Sequence, residues 1–496
     1  MARPSFGDLP EELLEKVARS LDPSIIRQHT RDGSAKARSG ALPILNFCLV
    51  SRKFFKVGKP FLHSVFVNDN DPVGLRNFVA RACRNPDRMA YLRAICAGEF
   101  KCDSAVSEDA DADNDLKEIW SRQLQQLNVV NDRDREAWLR DLQRCDYDAQ
   151  LALILALAPN LEFLDLTYGS FGSNGIYLFW TRRLIAWAVQ QSPAAGERTP
   201  LSALHHFIFR EPTDITYPGD HCFWETAMLP SLRTLELHHL SEARAGLPTW
   251  IDNISAVETL TFRPRTARLG WLFQPVLRAS RPLKSLRFIL DRVGDDGDEA
   301  HGPSGAAGYL HPPAMQLHAL TLTDLALECE LPPDACPPLA PLLDLKLFAR
   351  LKRLRISAAY LLPRFEGPQP ADAEAGSRRR EVARWNEAER HFPSSLELFA
   401  LDCLAVRPQQ WHWFIALLLD MGRSRDAHFP SLRTVEAVVP SLLWTGEYEG
   451  PGKVEPFASV ASAMLDSSGV AEVVVRVTDG ITWRGNCNTH HFTKES

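Results

Sequence analysis

The chain has 496 residues, of which 45% are hydrophobic and 24% are charged, with 27 glycines and 34 prolines. This is ordinary globular composition, and it excludes collagen-like, coiled-coil and wholly disordered chains. The length predicts roughly two to four domains or one long repeat array. The net charge of −6 provides no global positive field to hold a phosphate backbone, so we expect no nucleic-acid partner.

The ten cysteines are scattered without a Cys-x-x-Cys pair, and the first residues carry acids where a secretory signal needs an apolar core. We therefore expect reduced thiols in a protein of the cytoplasm, the nucleus or both. The longest apolar run, residues 151–159, is about half of the roughly 20 residues needed to cross a bilayer. No membrane partner is expected.

An amphipathic helix is predicted to begin near Asp8, which can cap the first free N–H groups, with Pro10 in the first turn and Glu11 three residues on. Its apolar residues recur every four positions, at Leu9, Leu13, Val17 and Leu21. After a polar stretch, residues 42–55 are predicted to form one second helix that is nearly continuously apolar. So short a segment buries little by itself, so this surface needs a neighbouring domain or a partner chain.

This segment begins with Leu-Pro and an amphipathic helix, and it later contains a valine, serine, basic and aromatic series, Val50-Ser51-Arg52-Lys53-Phe54. These two features resemble the F-box family. The resemblance implies a small helical module that docks on the Skp adaptor of a cullin-based ubiquitin ligase. Carried over by position, the residues implied to face the adaptor are Leu9, Pro10, Leu13, Leu14, Val17, Leu45, Cys48, Val50 and Ser51. On pattern alone, the two helices could instead be ordinary core helices of a single larger domain.

The rest of the chain repeats a hexamer of the form apolar-x-x-apolar-x-apolar. Ten copies occur, at residues 161–166, 204–209, 232–237, 257–262, 283–288, 317–322, 351–356, 396–401, 432–437 and 470–475. Each copy is predicted to be a short strand whose alternate apolar residues point into the array, with a helix covering the other side. The pattern resembles the degenerate leucine-rich repeats of F-box proteins, which implies an α/β chain with an irregular solenoid of one strand and one helix per unit.

These patterns divide the chain into four parts. Residues 1–66 form the F-box-like helical module, and residues 67–160 hold irregular first repeats with an acidic loop at 102–115. Where these two parts join, we expect a strand at 61–67, a helix at 74–84 and a strand at 91–95. Residues 161–478 are the degenerate repeat array, and residues 479–496 are a C-terminal tail.

Motifs of catalysis and metal binding are absent from the sequence. The alternating acids from Asp109 to Asp115 mimic half of a calcium loop but lack its glycine and final glutamate, and Cys487-x-x-His490 is half of a zinc site. The pairs His205-His206 and His238-His239 put neighbouring rings on opposite sides of a strand. We therefore expect no catalytic residue, no metal and no cofactor, and no enzyme; a site assembled from unrecognised loops is the remaining enzymatic alternative.

The sequence therefore predicts the substrate-recognition subunit of a Skp-cullin-F-box ubiquitin ligase, with the repeat array binding an unidentified target protein for ubiquitination and degradation. The alternative is a protein-interaction scaffold built on the same array and working outside any ligase. Trp224, Trp411 and Trp413 could be anchors for a target or ordinary core residues.

Overall fold

A computed structural model of the chain describes residues 9–21, 43–68, 71–98, 114–127, 131–167, 178–190, 199–210, 223–240, 254–264, 276–281, 283–290, 312–329, 345–361, 392–403, 414, 417–418, 421, 425–439, 472–477, 482–486 and 491–495. The chain divides into two compact units, Met1–Pro248 with Ile254–Val257, and Thr249–Asn253 with Glu258–Ser496. Both units combine strands with helices, so the expected α/β class is confirmed.

Three helices at the start of the first unit form a small module with its own core. They are α1 (Glu11–Ser20), α2 (residues 43–49) and α3 (Arg52–Leu62). One side of each helix supplies the buried residues of this core, which are Leu14, Ala18, Ile44, Phe47, Cys48 and Phe54. The prediction of a single helix over 42–55 is wrong, because the backbone at Ser51 is extended and its side chain accepts the N–H of Phe54, which caps a new helix.

The remainder of the first unit joins helices to parallel strands. The strands are β1 (Val65–Asn68), β2 (Ala94–Ala97), β3 (Phe163–Thr167), β4 (His206–Arg210) and β5 (Thr234–Leu240), and they pair in chain order. The helices are α4 (Pro72–Arg84), α5 (Asn114–Gln126), α6 (Asp132–Gln143), α7 (Tyr147–Leu157) and α8 (Phe179–Gln190). Short 3-10 helices occupy Pro86–Tyr91 and Phe223–Met228.

Three boundaries differ from the expectations for residues 61–115. Phe61 and Leu62 complete α3, so the strand expected at 61–67 begins only at Val65. The helix expected at 74–84 begins at Pro72 because Asp71 caps it, accepting the N–H of Gly74 at 2.8 Å. The strand expected at 91–95 begins at Ala94. Of the acidic stretch 102–115, residues 102–113 lie outside the described residues and the rest opens α5.

Asp148 on α7 holds the start of α8. Its carboxylate accepts the backbone N–H groups of Trp180 and Thr181 and the Thr181 hydroxyl, the last at 2.6 Å. These are N–H groups that a helix leaves without intrahelical partners, so a side chain from one helix caps the next. Burial raises the pKa of Asp148 to about 7, although the bonds from Thr181 and Trp180 oppose the increase.

The second unit continues the same pattern. Its parallel strands are β6 (Thr259–Pro264), β7 (Ser285–Leu290), β8 (Asp324–Cys329), β9 (Arg353–Ser357), β10 (Leu398–Asp402), β11 (Thr434–Val439) and β12 (Glu472–Val477). Short helices precede or follow some of them, namely α9 (residues 276–279), α10 (Pro312–Gln316), a 3-10 helix (Leu345–Leu347), α11 (Ala358–Leu361) and α12 (Arg425–His428). The segment expected as a tail contributes two antiparallel strands, β13 (Thr482–Asn486) and β14 (His491–Glu495).

The hexamers set the register of the strands. In nine of the ten, a strand begins at the third hexamer residue, and the third residues of paired strands are aligned, as Phe163 is with His206. In six of the hexamers the carbonyl of the second residue accepts two successive N–H groups at the start of the next strand, so Glu162 accepts from the N–H groups of His205 and His206. In these nine hexamers the described first, fourth and sixth residues are buried, and the third, fifth and seventh lie on the opposite face.

For the remaining hexamer, residues 317–322, the strand prediction is wrong. Residues 317–321 form a turn after α10, where Leu317 and Leu320 are 56% and 71% exposed, and the strand begins at Asp324. The physical reason is an overlap of patterns. Leu322 can end one hexamer or start another that continues through Leu325 and Leu327, and the second choice buries all three leucines. Hydrophobic burial therefore selects the later register.

Candidate functional site

The N-terminal module leaves large apolar side chains on its surface. Leu13 on α1 is 44% exposed, Leu45 and Leu49 on α2 are 42% and 74% exposed, and Val50 and Phe55 are 63% and 50% exposed. We call these five residues the apolar set. They come from all three helices and from the link between α2 and α3, while the opposite sides of the helices fill the module's core. Exposed apolar residues clustered on one small module are typical of a surface that binds another protein.

The nine residues implied to face the adaptor divide by burial. Five are exposed, namely Pro10, Leu13, Leu45, Val50 and Ser51. Leu9 and Val17 are half-buried against the module's core. Leu14 and Cys48 lie inside that core at 0% and 4% exposure, where they hold the helices together and present no surface to a partner. Leu49 and Phe55 were not among the residues implied by the resemblance, although Leu49 follows Leu45 by four positions on one helical face.

Close packing fixes the interior of the module. A Cβ added at Gly58 on α3 would lie 2.4 Å from the Sγ of Cys48 and 3.1 Å from a ring carbon of Phe47. Only glycine allows this approach between α2 and α3. Burial raises the pKa of the Cys48 thiol, which favours its neutral form, and the side chain packs inside the module's core.

Basic residues accompany the apolar set. Arg52 and Lys56 on α3 are exposed on either side of Phe55 in the sequence. Lys53 donates to the carbonyl oxygen of Leu9 at 2.6 Å, and Lys56 lies 3.8 Å from Glu11, so α3 is tied to the start of α1. Arg52 and Lys56 therefore add exposed positive charge to α3, the helix that carries Phe55.

In the first unit, the strand face opposite the buried hexamer leucines is partly apolar and partly ionic. Ala94, Phe163 and Ile208 pack together on β2, β3 and β4. Beside them, Arg210 pairs with Asp165 through two hydrogen bonds of 3.1 and 3.2 Å. Phe163, Asp165, Ile208 and Arg210 are third, fifth or seventh residues of their hexamers, and the register aligns Ala94 with Phe163 and Asp165 with Ile208.

Glu236 joins two histidines on this face. His206 and His238 place ring nitrogens 3.0 and 3.1 Å from separate oxygens of its carboxylate. Burial favours the neutral acid, but the hydrogen bonds and charges of the two histidines outweigh it and lower the pKa of Glu236 well below its usual range. In the sequence each histidine stands beside another, His205 and His239, whereas in the structure the rings of His206 and His238 come from adjacent strands and meet on one carboxylate.

The corresponding face of the second unit is a row of alternating charges. Arg287 on β7, Glu328 on β8, Arg355 on β9, Glu436 on β11 and Arg476 on β12 form successive ion pairs. We call these five residues the arginine row. Because their partners lie on different strands, only the strand register reveals them.

Metal binding and membrane spanning have no support among the described residues. No group of three His, Cys, Asp or Glu residues among them could hold a metal ion, and no helix among them is long and apolar enough to cross a membrane. A recess of about 270 Å³ beside α8 is lined by residues such as Leu201, Ser202 and Ser231 and contains no titratable group. Asp115 lies in α5, while Asp109, Cys487, His490, Trp411 and Trp413 lie outside the described residues, as does the side chain of Trp224.

No protein-family model matches the chain, and no curated protein matches it.

Proposed function

We propose that this protein is the substrate-recognition subunit of a Skp-cullin-F-box type ubiquitin ligase. In this proposal the N-terminal module is an F-box that docks on the Skp adaptor, and the adaptor links it to the cullin. The strands of the two units belong to a degenerate leucine-rich-repeat solenoid that binds the target protein. The protein itself has no catalytic role, because holding the target near the transferred ubiquitin is sufficient.

The exposed apolar set is the observation that carries the proposal. A module of three short helices normally turns its large apolar side chains inward, as Leu14 and Phe54 do here. Leu13, Leu45 and Val50 remain exposed, and all three stand at positions where the F-box resemblance implies contact with the adaptor. A partner that covers them would remove their apolar surface from water, which stabilises the complex by about 25 cal/mol for each Å² buried.

The repeated strands support the second half of the proposal. Their register brings side chains that are distant in the sequence onto one face, as it does for Arg355 and Glu436. Repeat arrays typically use such faces to bind other proteins.

The test is capture of a purified Skp-type adaptor by the full chain. A double variant, Leu13→Ala with Leu45→Ala, is expected to weaken capture by roughly tenfold or more per leucine, because each change removes apolar area from the interface. Both side chains are exposed in the free protein, so thermal unfolding should be unchanged. Lys16→Ala, an exposed change on the same helix α1, is the matched control and should bind as the unaltered protein does.

Unchanged capture by the double variant would refute the proposed docking surface. Capture from cells distinguishes the two functions. Recovery of the adaptor together with a cullin supports the ligase subunit, and recovery of the adaptor without a cullin supports the scaffold outside a ligase.

A further inference from the structure

The arginine row lies on the strand face of the second unit that is opposite the buried hexamer leucines. Arg287, Arg355 and Glu436 are fifth residues of their hexamers, and Glu328 and Arg476 are seventh residues. In the register of the strands, Ala326 stands between Arg287 and Arg355, and Ala400 stands between Arg355 and Glu436. The small side chain of Ala326 leaves room for Arg287 and Arg355 to reach Glu328 from either side, and that of Ala400 leaves room for Arg355 to reach Glu436.

The two ends of the row differ in how completely they are bonded. Arg287 donates to both oxygens of Glu328, at 3.0 and 2.6 Å. By contrast, the nearest nitrogens of Arg355 and Arg476 lie 3.7 and 3.6 Å from the same oxygen of Glu436. These distances are ion-pair contacts that are too long for hydrogen bonds. Among the described residues, the ion-pair contacts of the two guanidinium groups are these and a 3.9 Å contact of Arg355 with Glu328, all longer than hydrogen bonds.

Exposure separates the two signs of charge. The carboxylates of Glu328 and Glu436 are only 16% and 15% exposed, whereas the side chains of Arg355 and Arg476 are 40% and 51% exposed. Asp402 on β10 also faces this side and is half-buried. The acidic side chains therefore lie deeper in this face, and the guanidinium groups of Arg355 and Arg476 are more exposed to water.

We propose that Arg355 and Arg476 form a binding site for an acidic segment of the target polypeptide, with one aspartate or glutamate carboxylate accepting hydrogen bonds from both guanidinium groups. A guanidinium carries five N–H donors in a planar fork that matches a carboxylate. Glu436 keeps the two arginines close together, since both contact one of its oxygens. The inference rests on the proposed role of the strands in target binding and gives the target a chemical class.

The test uses the full chain and a fluorescein-labelled peptide in which glutamates alternate with glycine and serine, followed by fluorescence anisotropy at low salt. The matched peptide carries glutamine in place of every glutamate. We expect the glutamate peptide to bind and the glutamine peptide not to bind. Arg355→Gln and Arg476→Gln should each weaken binding by about tenfold, the loss typical of one charge-assisted hydrogen-bonded contact.

Arg350→Gln is the control for net charge, because Arg350 is an exposed arginine in the turn before β9 and lies off the strand face. It should leave binding unchanged. Arg355→Lys keeps the positive charge beside Glu328 and Glu436 and so protects folding, but it removes the fork and should still weaken binding.

Equal losses for Arg350→Gln and Arg355→Gln would overturn the proposal, since they would indicate attraction without a site. Absence of glutamate-peptide binding, or binding only of a phosphoserine version of the peptide, would also overturn it. Adaptor capture by the same variants separates this inference from the proposed function. Arg355→Gln should capture the adaptor normally, and loss of peptide binding with capture intact concerns the arginine row alone.

Discussion

Leu320 and Leu325 offer a direct test of the strand register, because they are five residues apart and differ almost completely in burial. Leu325 is 2% exposed on β8, and Leu320 is 71% exposed in the turn before it. Truncating a buried leucine to alanine removes its apolar contacts and leaves a cavity, at a typical cost of about 2–5 kcal/mol. The same change at an exposed leucine usually alters stability by less than about 0.5 kcal/mol.

Hydrogen exchange followed by mass spectrometry measures both variants locally, which matters in a chain of two units. Leu325→Ala should speed exchange of the amides of β8 by about 30-fold or more, since 2 kcal/mol corresponds to that factor. Leu320→Ala should leave exchange at β8 nearly unchanged. Equal effects of the two substitutions, or a larger effect of Leu320→Ala, would contradict the register and return the strand to residues 317–322.

Three further predictions concern individual contacts. Gly58→Ala should destabilise the N-terminal module by about 1–3 kcal/mol, because the added methyl overlaps the Sγ of Cys48; thermal unfolding by circular dichroism checks this, and an unchanged midpoint would contradict the close packing. Asp148→Asn should remove a pH dependence of the free energy of unfolding. Because the pKa of Asp148 is raised to about 7, the folded protein holds a proton that the unfolded chain releases near pH 4. The contribution of Asp148 to stability therefore falls as pH rises from 4 to 7. Urea titrations should therefore show the stability difference between the unaltered protein and Asp148→Asn shrinking over that range, and a constant difference would argue against the shift. Glu236→Gln should cost about 1–3 kcal/mol at pH 7, and the cost should shrink as pH falls below about 4.5, where the unfolded chain takes up a proton that the folded carboxylate does not; urea titrations at pH 7 and pH 3 check this, and an equal cost at both would contradict the lowered pKa.

The strands were the most predictable part of the fold. In nine hexamers the apolar positions alone located a strand, because three inward residues per copy must be buried together, although the strand begins only at the third residue. The same rule failed at Leu317, where two overlapping hexamers share Leu322 and only the packed structure selects between them. The break at Ser51 was also missed, since a serine cap inside an apolar run has little effect on hydrophobic periodicity.

The candidate surfaces were only partly readable from the sequence. Leu13 and Leu14 are neighbours with the same side chain, yet one is exposed and the other is in the core, and the helix orientation that decides this comes from packing against Phe54 and its neighbours. The arginine row could not be predicted at all, because Arg355 and Glu436 are separated by a whole intervening strand. Their contact depends on the register and on a small residue, Ala400, between them.

The alternation of charge across β7 to β12 makes each strand a poor substitute for its neighbours. Strands β7 to β12 are joined by the same kind of parallel backbone pairing, so an exchanged copy would still find hydrogen-bond partners at its edges. Loss of β8 would nevertheless leave Arg287 facing Arg355 without Glu328, and like charges directly opposite each other are destabilising. The order of positive and negative side chains therefore favours one order of the strands from β7 to β12, which the uniform backbone hydrogen bonds do not specify.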